Sequence, residues 1–224
     1  MGHDETRWAE VDAYLAETLI GTDSVLSEAL EANAAADLPP IDVSAVQGKL
    51  LYLLARTARA VNVLEIGTLG GYSTIWLARA VGDRGNVVTL EADHHHAETA
   101  RANLARAGVS DRVEIVVGAA LDSLAVLPTP GESPFDFVFV DADKENNTHY
   151  VREAVRLGRP GTVIVVDNVV RGGGVTNAEL DDAAVRASRE VLQLFAEHPR
   201  LDASAIQTVG AKGWDGFAYA LITE

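Results

Sequence analysis

Val63-Leu64-Glu65-Ile66-Gly67-Thr68-Leu69-Gly70-Gly71-Tyr72-Ser73 decides how this chain folds. An apolar run ends in a glycine-rich turn, and residues 72–81 then read as a helix. Strand, tight turn and helix in that order open a Rossmann-like α/β domain. Glycine lacks Cβ, so the backbone can turn sharply and come close to a ligand. Free N–H groups at the helix start would face an anion. The spacing is Gly67-x-x-Gly70-Gly71 rather than G-x-G-x-x-G, which weakens a dinucleotide reading.

Downstream the pattern alternates. Strands are expected at 61–66, 86–91, 112–117, 135–140 and 162–166. Helices are expected at 72–81, 93–107, a short stretch up to about 127, 146–157, and a last one carrying Leu180, Ala184, Ala187, Val191 and Phe195. Residues 129–134 read as a Pro- and Gly-rich loop, 158–161 as a turn and 169–176 as a glycine-rich loop. Near-continuous apolar strands alternating with helices imply a mostly parallel sheet covered by helices on both faces. Two strand-like runs, 201–208 and 217–223, follow without a helix between them and predict a closing antiparallel hairpin. Trp214 is read as lying in a turn before the last strand.

Upstream, Trp8, Val11, Leu15 and Leu19 recur at helical spacing. A second helix is expected at 24–36, stopping before Leu38-Pro39-Pro40. A third carries Val43, Val46, Leu50, Leu53 and Leu54, capped by Ser44 or Asp42. These helices lie outside the minimal core, where they would cover a ligand site or form a dimer surface. One domain over 1–224 is expected, with 1–58 as a helical N-terminal extension or lid and 61–224 as the core.

The 224 residues suffice for a sizeable core, and 48% hydrophobic with 23% charged residues is ordinary for a soluble protein. The net charge of −15 repels phosphate backbones and argues against broad nucleic-acid binding. With no cysteine, thiolate metal sites and a Cys nucleophile are excluded. The acidic N-terminus shows no signal peptide, and no apolar run is long enough to span a membrane. A cytoplasmic enzyme or binding protein is the expectation.

Ligands of an open α/β sheet sit at the carboxyl ends of its strands. Glu65 and Gly67 close the first strand, and Glu91 closes the second, 24 residues after Gly67. An acid there can accept from both ribose hydroxyls, so an adenosine-containing ligand is implied, NAD included. The fourth strand ends at Asp141-Ala142-Asp143-Lys144 and the fifth at Asp167-Asn168. Asp and Asn often follow strands as turn residues. Two apolar strands that both end in oxygen ligands nevertheless point to a metal held by Asp141, Asp167 and Asn168. Hard oxygen donors select Mg²⁺, Mn²⁺ or Ca²⁺ over Zn²⁺. Lys144 is a solvated helix-start lysine or a general base; as a base it needs its pKa lowered from ~10.4, which a neighbouring cation would do. His94-His95-His96 cannot chelate one ion from consecutive helical positions and reads as a solvated helix start.

These motifs resemble the metal-dependent class I O-methyltransferases, the caffeoyl-CoA and catechol O-methyltransferase group. The resemblance covers roughly residues 40–224. It rests on Val46-Gln47-Gly48, Leu64 to Thr68 with Gly71-Tyr72-Ser73, Phe139 to Lys144, and Val166-Asp167-Asn168-Val169. It implies a seven-stranded sheet, S-adenosylmethionine as cofactor, Mg²⁺ or a related ion, and a homodimer. Carried over by position, Ser73 would bind the methionine carboxylate, with Val43, Glu65, Gly67 and Thr68 around it. Glu91 would hold the ribose, and Ala120 would lie near adenine. Asp141 would touch both cofactor and metal, and Lys144 matches the base of the catechol enzymes. The chain departs from the family at Asn146-Asn147, at Arg171 followed by three glycines, and at Asp143, where the catechol enzymes place a tryptophan.

The resemblance implies methyl transfer to a hydroxyl of a metal-chelated vicinal dihydroxy aromatic, a small phenolic substrate. Ile41, Asp143 and Arg171 are expected on the acceptor side of the pocket, while Trp214 is open between pocket wall, core and dimer contact. The alternatives are methylation of a hydroxylated uridine in tRNA, and a NAD-linked oxidoreductase or non-catalytic nucleotide binder.

Overall fold

The computed structural model describes residues 2–127 and 134–223. The loop expected at 129–134 therefore lies outside the described residues except for Pro134. Three helices come first: α1 (Gly2–Leu19), α2 (Ser24–Ala35) and α3 (Ala45–Thr57). Asp23 and Ser44 cap α2 and α3, each accepting from a first-turn backbone N–H. The alternating body follows: β1 (Asn62–Ile66), α4 (Tyr72–Val81), β2 (Asn86–Glu91), α5 (His94–Arg106), β3 (Val113–Val117), α6 (Ala120–Val126), β4 (Phe135–Val140), α7 (Asn147–Leu157), β5 (Gly158–Asp167) and α8 (Ala183–Glu197). The chain closes with β6 (Leu201–Gly210) and β7 (Gly213–Ile222).

The seven strands lie in the order β3-β2-β1-β4-β5-β7-β6. β1 to β5 are parallel, and β7 is antiparallel to both β5 and β6. The sheet is therefore Rossmann-like and mostly parallel, with a terminal hairpin. Its order reverses at β1, which lies between β2 and β4, and such a switch point opens a crevice at the strand ends.

Side chains alternate across each strand, so two cores form. Val63, Val87, Phe137, Phe139, Val163 and Val165 pack under α2, α3, α4 and α5. Leu64, Ile66, Val138, Val140, Ile164 and Val166 pack under α6, α7 and α8.

Four local expectations shift. The proposed turn at 158–161 is the irregular start of β5, where the register with β4 slips and Gly161 takes φ 93°. Trp214 lies inside β7 rather than in a turn before it. The buried side of α3 is Gly48, Leu51 and Ala55, while Leu50 and Leu53 face solvent. The close approach of α4 selects the small residue, since a Cβ at Gly48 would strike the Trp76 indole. The apolar stripe of α1 is only partly covered, with Val11 and Leu19 exposed. Among the described residues, no helix is long and apolar enough to cross a membrane.

Candidate active site

The strand ends around the switch point are stitched together by main-chain bonds. Gly67 N donates to Leu90 O at 3.0 Å, and Asp141 N donates to Ile66 O at 2.8 Å. Gly67 has φ 102°, and a Cβ there would run into the carbonyl oxygen of Asp141. That close approach is why the turn begins with glycine. Gly71, at φ 83°, starts α4 with no side-chain cap, so the first-turn N–H groups remain available to an anion.

Glu91 fixes the turn from the neighbouring strand. Its Oε2 accepts from Thr68 N at 3.2 Å and Leu69 N at 2.7 Å, and its Oε1 accepts from Asp93 N at 2.9 Å. His96 Nδ1 lies 3.4 Å from the same Oε1.

Glu65 sits deeper. It is fully buried and accepts from three hydroxyls: Ser73 at 2.6 Å, Thr74 at 2.5 Å and Thr89 at 2.7 Å. Thr89 is its register partner on β2. Burial pushes the Glu65 carboxyl up to about 7, against the three hydroxyl donors, which favour the ionised form. Expected at the cofactor surface, Glu65 instead stands behind Ser73. It lies two residues before the turn, still within the sheet and under α4.

Asp141 and Lys144 form the second half. Lys144 Nζ donates to Asp141 Oδ1 at 2.7 Å. Asp167, the last residue of β5, accepts from Gln47 Nε2 at 2.6 Å and from Asn168 N at 2.8 Å. Asn168 takes the left-handed φ of 61°, a conformation Asn tolerates better than most residues. Burial, and next the negative charge of Asp141, raise the Asp167 carboxyl to about 7.

These ends enclose a cavity of about 730 Å³. Of the expected cofactor residues, Val43, Gly67, Thr68, Ser73, Glu91, Ala120 and Asp141 line it. Of the remaining metal and base candidates, Lys144 and Asn168 line it too. Glu65 is fully buried behind that wall, and Asp167 is 6% exposed beside Asn168. Ile41, Asp143 and Arg171 line it as expected, whereas Trp214 does not. Instead the Trp214 ring packs against Gly173, and its Nε1 donates to Gln207 Oε1 at 3.1 Å.

Three contributors were missed from the sequence. His96 lines the cavity, although the histidine triplet has the pattern of a solvated helix start. Its place in the first turn after the second strand was the available signal, since that turn lies at the ligand edge. Tyr150, from α7, donates to Asp143 Oδ1 at 2.5 Å while Asn146 Nδ2 donates to Asp143 Oδ2 at 2.5 Å, so Asp143 is held from both sides. Burial and the adjacent Asp143 carboxylate raise the Tyr150 hydroxyl well above its ordinary range. Gln47 reaches Asp167 from α3, a contact that no local pattern predicts.

Among the described residues, no group of three or more His, Cys, Asp or Glu side chains is placed to hold a metal ion. The candidate set has two carboxylates, Asp141 and Asp167, with Asn168 as an amide. All three offer oxygen, and Asp141 destabilises the ionised form of Asp167. Such a donor set suits a hard divalent cation, which would relieve that repulsion.

The family model described as O-methyltransferase matches residues 16–215, beginning within α1 rather than near residue 40. The chain is 63% identical over 213 residues to a catechol O-methyltransferase of Mycobacterium tuberculosis, covering 95% of each chain. It is 44% identical over 212 residues to a catechol O-methyltransferase of Niastella koreensis, covering 95% of this chain and 96% of that one. Among solved structures, an O-methyltransferase from Bacillus cereus in complex with SAH superposes with a TM-score of 0.95 at 52% identity. That match covers 97% of this chain and 99% of the other.

Proposed function

This chain belongs to the O-methyltransferase family, and from that premise we propose that it transfers a methyl group from S-adenosylmethionine to one hydroxyl of a vicinal dihydroxy aromatic. The observation that carries the reading is one cavity joining the glycine turn, Ser73 and Glu91 to Asp141, Lys144 and Asn168. The SAH held by the Bacillus cereus structure and the names of the two curated relatives support the cofactor and the acceptor class.

When bound, S-adenosylmethionine supplies the sulfonium methyl, and a divalent cation on Asp141, Asp167 and Asn168 supplies Lewis acidity that eases ionisation of the acceptor hydroxyl. The start of α4 receives the cofactor's carboxylate, and Glu65 holds Ser73 in place there. Glu91 orders the turn and would hold the ribose. Lys144, which lines the cavity beside Asp141, is the group placed to take the acceptor's hydroxyl proton. Asp141 at 2.7 Å then stabilises the ammonium so formed. The cavity wall fixes the distance between the two reactants, which is where much of the rate comes from.

The test is methyl transfer from labelled S-adenosylmethionine to a catechol panel with Mg²⁺, with and without chelator. Transfer lost in chelator and restored by Mg²⁺ or Mn²⁺ is expected. Undiminished transfer in chelator overturns the metal role. SAH binding without transfer to any vicinal diol overturns the acceptor class. Calorimetry with SAH against NAD separates this reading from a NAD-linked one.

A further inference from the structure

Arg171 stands on the 169–176 loop, three residues after Asn168, and lines the cavity. Its backbone is held in the left-handed region at φ 55°. The loop is clamped from β7. Asp215 Oδ1 accepts from Val170 N at 3.0 Å, Arg171 N at 2.9 Å and Gly216 N at 2.9 Å, and Trp214 O accepts from Gly172 N at 3.1 Å. The main chain is thus fixed, yet the guanidinium is left loose. Its nearest carboxylate oxygen, Asp215 Oδ2, is 3.9 Å away, beyond hydrogen-bond length. Among the described residues the Arg171 side chain donates no hydrogen bond. The other basic side chains of the wall already face carboxylates: Lys144 donates to Asp141, and His96 lies beside Glu91.

We propose that Arg171 determines specificity by binding a carboxylate on the acceptor, so that the substrate class is a vicinal dihydroxy aromatic acid. This rests on the methyl-transfer reading above. A guanidinium with unused donors matches a carboxylate in two parallel bonds. Three residues span at most roughly 10 Å, and the loop turns, so Arg171 remains within the length of a substituted ring bound beside Asn168. The rest of the wall carries Asp42, Glu91, Asp141 and Asp143, which would repel a free anion. Only a local cation lets an acidic substituent settle there. An ammonium substituent, by contrast, would meet Arg171 as a like charge.

The test uses the whole protein with Mg²⁺ and three acceptors on one ring: 3,4-dihydroxybenzoate, 4-methylcatechol and dopamine. kcat/KM is measured for wild type, Arg171→Gln and Arg171→Glu, with SAH affinity and circular dichroism as checks on the fold. Wild type is expected to prefer the acid. In Arg171→Gln the acid-to-neutral ratio falls about ten- to hundredfold, chiefly through KM, the scale of one charge-assisted contact. Arg171→Glu shifts preference toward dopamine. A wild type that prefers the neutral or amine acceptor overturns the assignment without any variant. So does a ratio unchanged within about twofold in both variants. A wild type that methylates none of the three overturns the methyl-transfer reading, and this assignment with it.

Discussion

Gln47 Nε2 donates to Asp167 Oδ2 at 2.6 Å, although 120 residues separate them. One comes from the third helix and the other from the end of the fifth strand. The N-terminal helices therefore supply a side chain that orients a candidate metal ligand. Replacing Gln47 by Leu leaves that buried oxygen without its side-chain donor. Unfolding free energy should fall by about 1–3 kcal/mol, read by urea denaturation. Mn²⁺ affinity, followed by electron paramagnetic resonance, should weaken as well. A Leu variant equal to wild type in both would remove Gln47 from the site.

Lys144→Met tests the proton acceptor. The 2.7 Å contact with Asp141 disappears, and kcat for a catechol should drop by about 10²–10⁴-fold. SAH binding by calorimetry should persist, which separates lost chemistry from lost structure. A drop smaller than about tenfold would leave another group as the base.

Glu65 predicts a pH dependence of stability. Its carboxyl is raised by burial to about 7, so the folded protein favours the protonated form. That contribution is full below the unfolded value of about 4.5 and is lost as pH rises through about 7. Glu65→Gln cannot titrate at this position. The stability of wild type relative to Glu65→Gln should therefore be greater at pH 5 than at pH 8, by on the order of 3 kcal/mol. Urea unfolding of both proteins at the two pH values measures it. A pH-independent difference would mean that the three hydroxyl donors keep Glu65 ionised throughout.

Gly67→Ala should be among the most damaging single-methyl additions. The positive φ alone costs about 1–2 kcal/mol, and the new Cβ would meet the backbone carbonyl of Asp141, which cannot rotate away. A loss above about 2 kcal/mol in urea unfolding is expected, together with weaker SAH binding in calorimetry. Retained SAH affinity would show that the turn and the end of β4 can separate at little cost.

Much of the fold was legible because its signals are local. The runs at 86–91 and 135–140 are strands with those bounds, and 72–81 is a helix with those bounds. Elsewhere packing rather than pattern decided. The exposed side of α3 carries leucines because Gly48 was needed against Trp76. Trp214 joined β7 because Val209 on β6 pairs with it. At the site, Ser73, Glu91, Asp141, Lys144 and Asn168 were identifiable as strand-end or helix-start residues, and all line one cavity. Gln47 and His96 are marked only by position, Gln47 in the Val46-Gln47-Gly48 motif and His96 in the first turn after the second strand. A glutamine within a helix and a histidine in a triplet have no pattern that reports a contact across the sheet edge.

The sequence by itself determined the alternation of strands and helices, the glycine turn and the chemical types at each strand end. Hydrophobic period, glycine spacing and residue chemistry are properties of short stretches. Only the tertiary structure decided which ends meet. The order β2-β1-β4-β5 sets Asp141 beside Asp167 and opposite Glu91, and it withdraws Glu65 into the sheet behind Ser73. It also decided that Asp215 would clamp the Arg171 backbone while leaving the guanidinium, among the described residues, without a hydrogen-bonded partner. The physical reason is that register and strand order are set by burial summed over the whole sheet, which no single stretch contains.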